Sequence, residues 1–170
     1  MDRIAVIGCS GGGKSSLTRR LAERTGLPVV HLDVVFWRPG WVESDDASFR
    51  ERLADALAGG RWITDGNFMR MGDLHIAGAE LIVWVDQPRL LCVRRALTRA
   101  IREYGRKRPD MAEGCEERID LAFLRYIWNW NRVQRPKVEL RLRELAPRTP
   151  IVTLKSDADI ASWLEAFTPS

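Results

Sequence analysis

The chain is short of several features that would each point to a particular class of protein. Cysteine is scarce, with three residues in 170, at positions 9, 92 and 115. They form no CxxC pair, and an odd, scattered set suits neither a disulfide framework nor a four-ligand zinc site, so no zinc is expected. Long apolar runs are missing too: no stretch approaches the eighteen or so unbroken apolar residues of a membrane span. Met1, Asp2 and Arg3, followed by four apolar residues, lack the basic segment and long apolar run of a signal peptide. Internal repeats and low-complexity linkers are absent as well. The expectation is one domain over residues 1–170, working in the reducing cytoplasm and away from membranes.

Enough is present to build that domain. Hydrophobic residues make up 45% of the chain, sufficient for one substantial core. The formal charge of +4 is mild but uneven, because residues 88–148 hold sixteen Lys or Arg against eight Asp or Glu. Some anion should meet that basic segment.

Short apolar runs at Ile4 to Ile7, Val29 to Leu32, Trp62 to Thr64, Leu81 to Val85 and Ile151 to Leu154 read as strands buried on both faces. Helical spacing covers Lys14 to Thr25, stopped by Gly26 and Pro28, and Asp46 to Ala58, where Ser44 or Asp45 caps and Phe49, Leu53 and Leu57 point inward. A closing helix runs from Asp157 to Phe167. Strands alternating with helices predict a three-layer α/β/α fold around a five-stranded parallel sheet. Residues 88–145 hold no strand. That stretch reads as helical, broken near Gly105 to Gly114 as a mobile lid would be. On its first helix Leu90, Val93, Leu97, Ile101 and Tyr104 form the apolar stripe, with Arg95, Arg99, Arg102 and Arg106 opposite. Farther along, Ile119, Phe123, Ile127 or Tyr126, and Trp130 fit a buried stripe better than a base-stacking surface.

Gly8, Cys9, Ser10, Gly11, Gly12, Gly13, Lys14 and Ser15 match G-x-x-x-x-G-K-[ST] at every fixed position, after a predicted strand and opening a predicted helix. Glycines reach backbone conformations closed to other residues, so successive N–H groups converge on phosphate oxygens. Lys14 would reach the β- and γ-phosphates of ATP, Ser15 would coordinate Mg²⁺, and Ser16 completes the nucleotide-binding set at the positive end of the helix. Cys9, inside this loop, is a tolerated small residue or an oxidisable one.

Ligands of a parallel α/β sheet collect at the carboxyl ends of its strands, where Asp33, Asp65 and Asp86 fall. One should hold Mg²⁺ and one orient or deprotonate an acceptor hydroxyl, while Asp86 has a simpler reading as the cap of the next helix. Trp37 and Trp41 beside Asp33 suit a nucleoside or another small hydroxylated acceptor, or are packing residues. His31 reads as a strand-end histidine without a role.

Residues 62–67, WITDGN, resemble the strand and DG motif of adenylate-kinase-like nucleoside monophosphate kinases. The closer resemblance is to the FlaR-like DNA topology modulation proteins, a branch of that group, through residues 4–17, His31 to Asp33 with Phe36 to Trp41, Trp62 to Asn67, and Arg108 to Cys115. It implies a kinase-like fold with a poorly defined substrate. The likeness to adenylate-kinase-like enzymes implies Asp65 on the metal and Arg95 and Arg99, seven and eleven residues after Pro88, on the migrating phosphoryl group; similarity to P-loop small-molecule kinases implies Asp33 on the acceptor, and Asn67 is a further candidate for substrate binding.

The leading expectation is an ATP-dependent phosphotransferase acting on a nucleotide, nucleoside or small hydroxylated metabolite. The rival is a nucleotide-regulated nucleic-acid binder that affects DNA topology. A binding module without turnover would use the same loop.

Overall fold

The computed structural model describes residues 1–67 and 74–168. Strand β1 (Arg3–Gly8) is buried from Ile4 onward and runs straight into the glycine-rich loop, which feeds helix α1 (Lys14–Thr25). Leu17, Thr18 and Leu21 face inward, and Gly26 ends the helix with its N–H on the Ala22 carbonyl. Strand β2 (Val29–His31) gives way one residue early to a short helix, α2 (Leu32–Phe36). An antiparallel ribbon of β3 (Trp37–Arg38) and β4 (Val42–Glu43) follows. Neither α2 nor this ribbon is announced by hydrophobic periodicity, because both are shorter than the window over which a period can be read. Helix α3 (Asp46–Leu57) is capped by Asp45, whose carboxylate accepts from the Ser48 N–H at 2.9 Å, and it buries Phe49 and Leu53.

Strand β5 (Trp62–Asp65), helix α4 (Leu74–Ala77) and strand β6 (Leu81–Val85) complete the first half of the chain. Helices α5 (Arg89–Arg102), α6 (Leu121–Val133) and α7 (Arg135–Leu145) occupy the basic segment. Strand β7 (Ile151–Leu154) and helix α8 (Asp157–Ala166) close the fold, the latter through a reciprocal box in which Ser156 and Asp159 cap each other's backbone N–H.

The five parallel strands lie in the order β2-β5-β1-β6-β7. Strand β1 is central, so its alternate residues serve two cores. Ala5 and Ile7 join Ile82, Trp84, Cys92, Ala96, Ile127, Trp130, Val138 and Leu142 on the face covered by α5, α6 and α7. Ile4 and Val6 join Leu17, Leu21, Ile63, Val83, Val85 and Leu164 on the face covered by α1 and α8. The three-layer architecture expected from strand and helix alternation is therefore the one observed. Among the described residues no helix is long and apolar enough to cross a membrane.

Three expectations are overturned. The stripe of Leu90, Leu97, Ile101 and Tyr104 is not the inner face of α5: Leu90 is 66% exposed and Tyr104 65%. The face turned to the sheet is instead Cys92, Ala96 and Ala100, also at four-residue spacing. Small side chains let the helix backbone lie directly on the glycine-rich loop, which large ones would hold away. Asp86 does not cap α5, whose N-cap is Pro88 and which has no side-chain cap. Its carboxylate takes both arms of the Arg135 guanidinium, at 3.0 Å each, and so ties the end of β6 to the start of α7. In α6 the buried positions are Ile127 and Trp130, whereas Tyr126 and Ile119 stay exposed and Ile119 precedes the helix.

Candidate active site

Parallel pairing sets the site's geometry. Val6, Asp65 and His31 are register partners across β1, β5 and β2, so β2 and β5 end level while β1 runs on two residues to Gly8. From β1 comes the phosphate loop. Gly8 sits at φ 142°, where a Cβ would meet the Val85 carbonyl oxygen at 2.2 Å. Gly11, at φ 81°, backs onto the Cys92 carbonyl in the same way. The loop is thus pressed against β6 and α5, with its own turn closed by the Gly12 N–H on the Cys9 carbonyl at 3.1 Å. Lys14 Nζ reaches back over the loop to donate to that same carbonyl at 3.2 Å.

Asn67 braces the start of the loop. Its Oδ1 accepts from the Gly8 N–H at 2.7 Å and its Nδ2 donates to the Gly8 carbonyl, so both ends of its amide serve the backbone. Gly66 lets the chain pass close to α2, since a Cβ there would sit 2.8 Å from Leu32 Cβ.

Asp65 is 6% exposed and takes hydrogen bonds from the Ser15 hydroxyl and from His31 Nδ1, the latter at 3.1 Å. Burial opposes its ionisation, but the His31 hydrogen bond, the Lys14 charge and the Ser15 hydroxyl outweigh it and hold the carboxyl below its ordinary pKa. Burial would likewise lower His31, yet the bond to Asp65 and the charges of Asp65, Asp110 and Asp33 raise it. Sequence reasoning left His31 without a role. The one signal for it was its place at the end of a strand beside the DG strand, which needs the sheet order to be read.

Asp33 opens α2, between Lys14 and the Arg108–Asp110 turn. Burial pushes its carboxyl up to about 6; Lys14 and Arg108 pull it down, and Asp65 and Asp110 add to the rise. Arg108 Nε and Arg99 Nε both lie 3.1 Å from Glu117 Oε2, a carboxylate 7% exposed. Arg108 Nε also lies 3.5 Å from Asp110 Oδ1, so two guanidiniums meet two carboxylates here, and Arg108 and Asp110 are the members whose charges reach Asp33. Arg95 stands apart from this pair. It is ion-paired with Asp157 at the start of α8, and its Nη1 lies 4.0 Å from where a Cβ on Gly13 would be. Arg94, Arg95, Thr98, Arg99, Arg102 and Glu103 line a groove of about 350 Å³ along α5.

The segment between α5 and α6 is not helical. It folds back on itself through the Gly105 N–H to the Glu117 carbonyl and the Glu117 N–H to the Arg106 carbonyl, both 2.9 Å. Met111, Ala112 and Cys115 are buried against Trp37 and Trp41. The Gly40 N–H bonds the Gly114 carbonyl at 2.9 Å, and Trp41 Nε1 bonds the Glu116 carbonyl at 3.1 Å. The two tryptophans hold this segment over Asp33, with the Arg118 guanidinium stacked on Trp41. Trp41 sits at φ 62°, the one non-glycine with positive φ among the described residues, and these contacts over-determine it.

No protein-family model matches the chain, and no curated protein matches it in sequence. Solved structures do match in three dimensions. Shikimate kinase from Acinetobacter baumannii, in complex with shikimate, superposes with a TM-score of 0.60 at 13% identity, covering 98% of this chain and 90% of that one. A sugar kinase from Janibacter gives 0.54 at 16%, over 98% and 91%, and deoxyadenosine kinase from M. mycoides gives 0.51 at 11%, over 96% and 95%. The fold is that of the P-loop kinases.

Within a P-loop kinase fold the residues divide cleanly. Lys14, Ser15, Asp65, His31 and Asp33 converge at the ends of β1, β2 and β5, whereas Asp86 is committed to Arg135. Among the described residues no three His, Cys, Asp or Glu side chains are arranged to hold a metal by themselves. Ser15 and Asp65 offer two oxygens. That is the share a protein supplies to magnesium when phosphate oxygens and waters complete the shell, so the pair fits the ion.

Proposed function

We propose that the protein is an ATP-dependent phosphotransferase, moving a γ-phosphoryl group to a nucleotide, nucleoside or small hydroxylated metabolite. The observation that carries this reading is the meeting of Lys14, Ser15 and Asp65 with a second, differently tuned carboxylate, Asp33, at one end of the sheet. A binding module needs the first three. It has no use for a second carboxylate, Asp33, beside them.

The loop from Gly8 to Gly13, with Ser15 and Ser16 at the start of α1, presents N–H groups and a helix N-terminus to the donor phosphates. Magnesium held by Ser15 and Asp65 would neutralise charge on the β- and γ-oxygens. His31 keeps Asp65 ionised and aimed. Lys14 leaves the Cys9 carbonyl for the phosphates, and Arg95 beside Gly13 adds positive charge where the equatorial oxygens spread theirs. Asp33 accepts the acceptor's hydroxyl proton, a task for which a pKa near the working pH is suited. Arg99 and Arg108 hold any anionic part of the acceptor. Trp37 and Trp41 act through the lid residues they anchor as well as through their own faces. One domain over residues 1–170, with the lid at about 88–145, a cytoplasmic setting and a place in the FlaR-like branch complete the reading.

Purified protein assayed with Mg-ATP against nucleosides, nucleoside monophosphates and hydroxylated metabolites, and separately with DNA, tests it. A phosphorylated product together with ADP is the expected result. ADP release stimulated only by DNA, with no phosphorylated acceptor, rejects it in favour of a nucleic-acid role. Lys14→Ala should cut turnover roughly 10²–10³-fold with an unchanged thermal midpoint; undiminished turnover would show that the donor site is misassigned.

A further inference from the structure

Phosphoryl transfer makes no use of a pair of nucleophilic side chains under the loop. Cys9 and Cys92, the latter on the first turn of α5, are 2% and 0% exposed and share one core cluster. The two thiols are close enough to influence each other's ionisation, and Cys92 Sγ also donates to the Gln87 carbonyl at 3.8 Å. Backbone packing shows how closely the two segments are apposed. A Cβ on Gly11 would lie 2.3 Å from the Cys92 carbonyl oxygen and 3.2 Å from its Cα, and one on Gly12 would lie 3.8 Å from Cys92 Sγ. Cys115 is elsewhere, its thiol donating to the Arg38 carbonyl at 3.3 Å under the tryptophan ribbon.

The surroundings separate the two thiols by role. The Cys9 thiol favours the thiolate at Cys92; burial opposes it, the Lys14 and Arg95 charges assist, and Asp86 opposes. Cys9 is pushed up, first by Cys92 beside it and then by burial. Cys92 is therefore the attacking sulfur and Cys9 the resolving one.

We propose that Cys9 and Cys92 form a reversible disulfide in response to a peroxide, clamping the phosphate loop to α5. The Cys92 thiolate attacks one peroxide oxygen and the O–O bond breaks. The departing hydroxide takes the proton Cys92 had shed and leaves as water, and Cys92 becomes a sulfenic acid, oxidised by two electrons. The Cys9 sulfur then attacks the Cys92 sulfur, the S–O bond breaks, and the oxygen leaves with the Cys9 proton as a second water. Two thiols and one peroxide thus give one disulfide and two waters. Closing a thiol contact to the roughly 2.05 Å of an S–S bond draws Cys9 toward α5. Gly11 has no room to follow, because the Cys92 carbonyl already fills its flank. The loop's N–H groups must turn away from their common focus. This consequence rests on the donor-site reading above; the disulfide itself does not.

The full chain is treated with a small excess of hydrogen peroxide, its remaining thiols are alkylated in denaturant, and it is digested without reductant for mass mapping. The expected product is a peptide pair joined through Cys9 and Cys92, two hydrogens lighter than its parts and separated by dithiothreitol, with Cys115 alkylated. Saturating Mg-ATP slows its formation, since a filled loop opens less often to the oxidant. The joined form binds a fluorescent ATP analogue at least ~10-fold more weakly than the reduced form. Reduction restores the affinity, and Cys92→Ala keeps it after peroxide. Sulfinic acid on Cys9 with Cys92 still alkylatable, a link to Cys115, or a joined form of undiminished affinity would each overturn the proposal. Failure of the reduced protein to bind the analogue would count against the donor site alone, because the linkage is read by mass.

Discussion

Two glycines with the same conformational demand show how the site constrains single residues. Gly11 at φ 81° and Gly26 at φ 68° both occupy backbone that L side chains disfavour by about 1–2 kcal/mol. Gly26 has nothing within 4 Å of an added Cβ, whereas Gly11 would place one 2.3 Å from the Cys92 carbonyl oxygen. Urea unfolding of Gly26→Ala should therefore show only the conformational cost. Gly11→Ala should lose more than about 3 kcal/mol or weaken nucleotide binding sharply, because loop or α5 must move. Asp33 carries a second expectation at this scale. With its carboxyl at about 6, kcat/KM for the acceptor should rise with pH through that value, and Asp33→Asn should flatten the profile as well as lower it. A profile of unchanged shape would remove Asp33 from the base role.

At the level of elements, α5 shows the limit of pattern reading. Leu90, Val93, Leu97, Ile101 and Tyr104 have helical spacing and bulk, and Cys92, Ala96 and Ala100 have the same spacing without it. Periodicity identifies a helix and a candidate face but does not weigh closeness of approach. The chain buried the small face because α5 lies against the phosphate loop, where its backbone touches Gly11. Ala96→Leu, adding bulk at 2% exposure, should cost about 1–3 kcal/mol, and Ile101→Ser, removing it at 60% exposure, no more than about 0.5. The opposite ranking of thermal midpoints would restore the bulky stripe as the inner face. The turn from Arg108 to Glu117 was legible only as a break in a helical stretch. Its hold on Trp37 and Trp41 joins residues some seventy positions apart, which no local pattern encodes.

Over the whole molecule, two ionisable groups, one buried and one half-buried, oppose one another in acid. His75 on α4 is fully buried with no hydrogen-bond partner for either ring nitrogen, and burial lowers its pKa to about 4 from an unfolded value near 6.5. The unfolded chain takes up that proton first, so stability is full above pH 6.5 and is lost as pH falls toward 4, at about 1.4 kcal/mol per unit. Asp33 works in reverse: its folded pKa of about 6 lies above the unfolded 3.8, so protonation in the fold adds stability over the same window. Wild type should change little between pH 6.5 and 4 on account of this pair. Asp33→Asn should steepen the fall of the thermal midpoint with acid and His75→Leu should shallow it. Parallel curves for all three proteins would refute the opposition. The phosphate loop, the alternation that makes a parallel sheet, and the placing of Asp33 just after β2 and Asp65 at the end of β5 were legible in the residues alone, because these depend on residue type and local spacing. That Asp86 belongs to Arg135, that His31 steadies Asp65, that Cys9 meets Cys92, and which face of α5 is inside needed the folded chain. Each of those follows from which strands and helices are neighbours in the order β2-β5-β1-β6-β7, and neighbourhood across a sheet is set by packing of the whole core rather than by any stretch of chain.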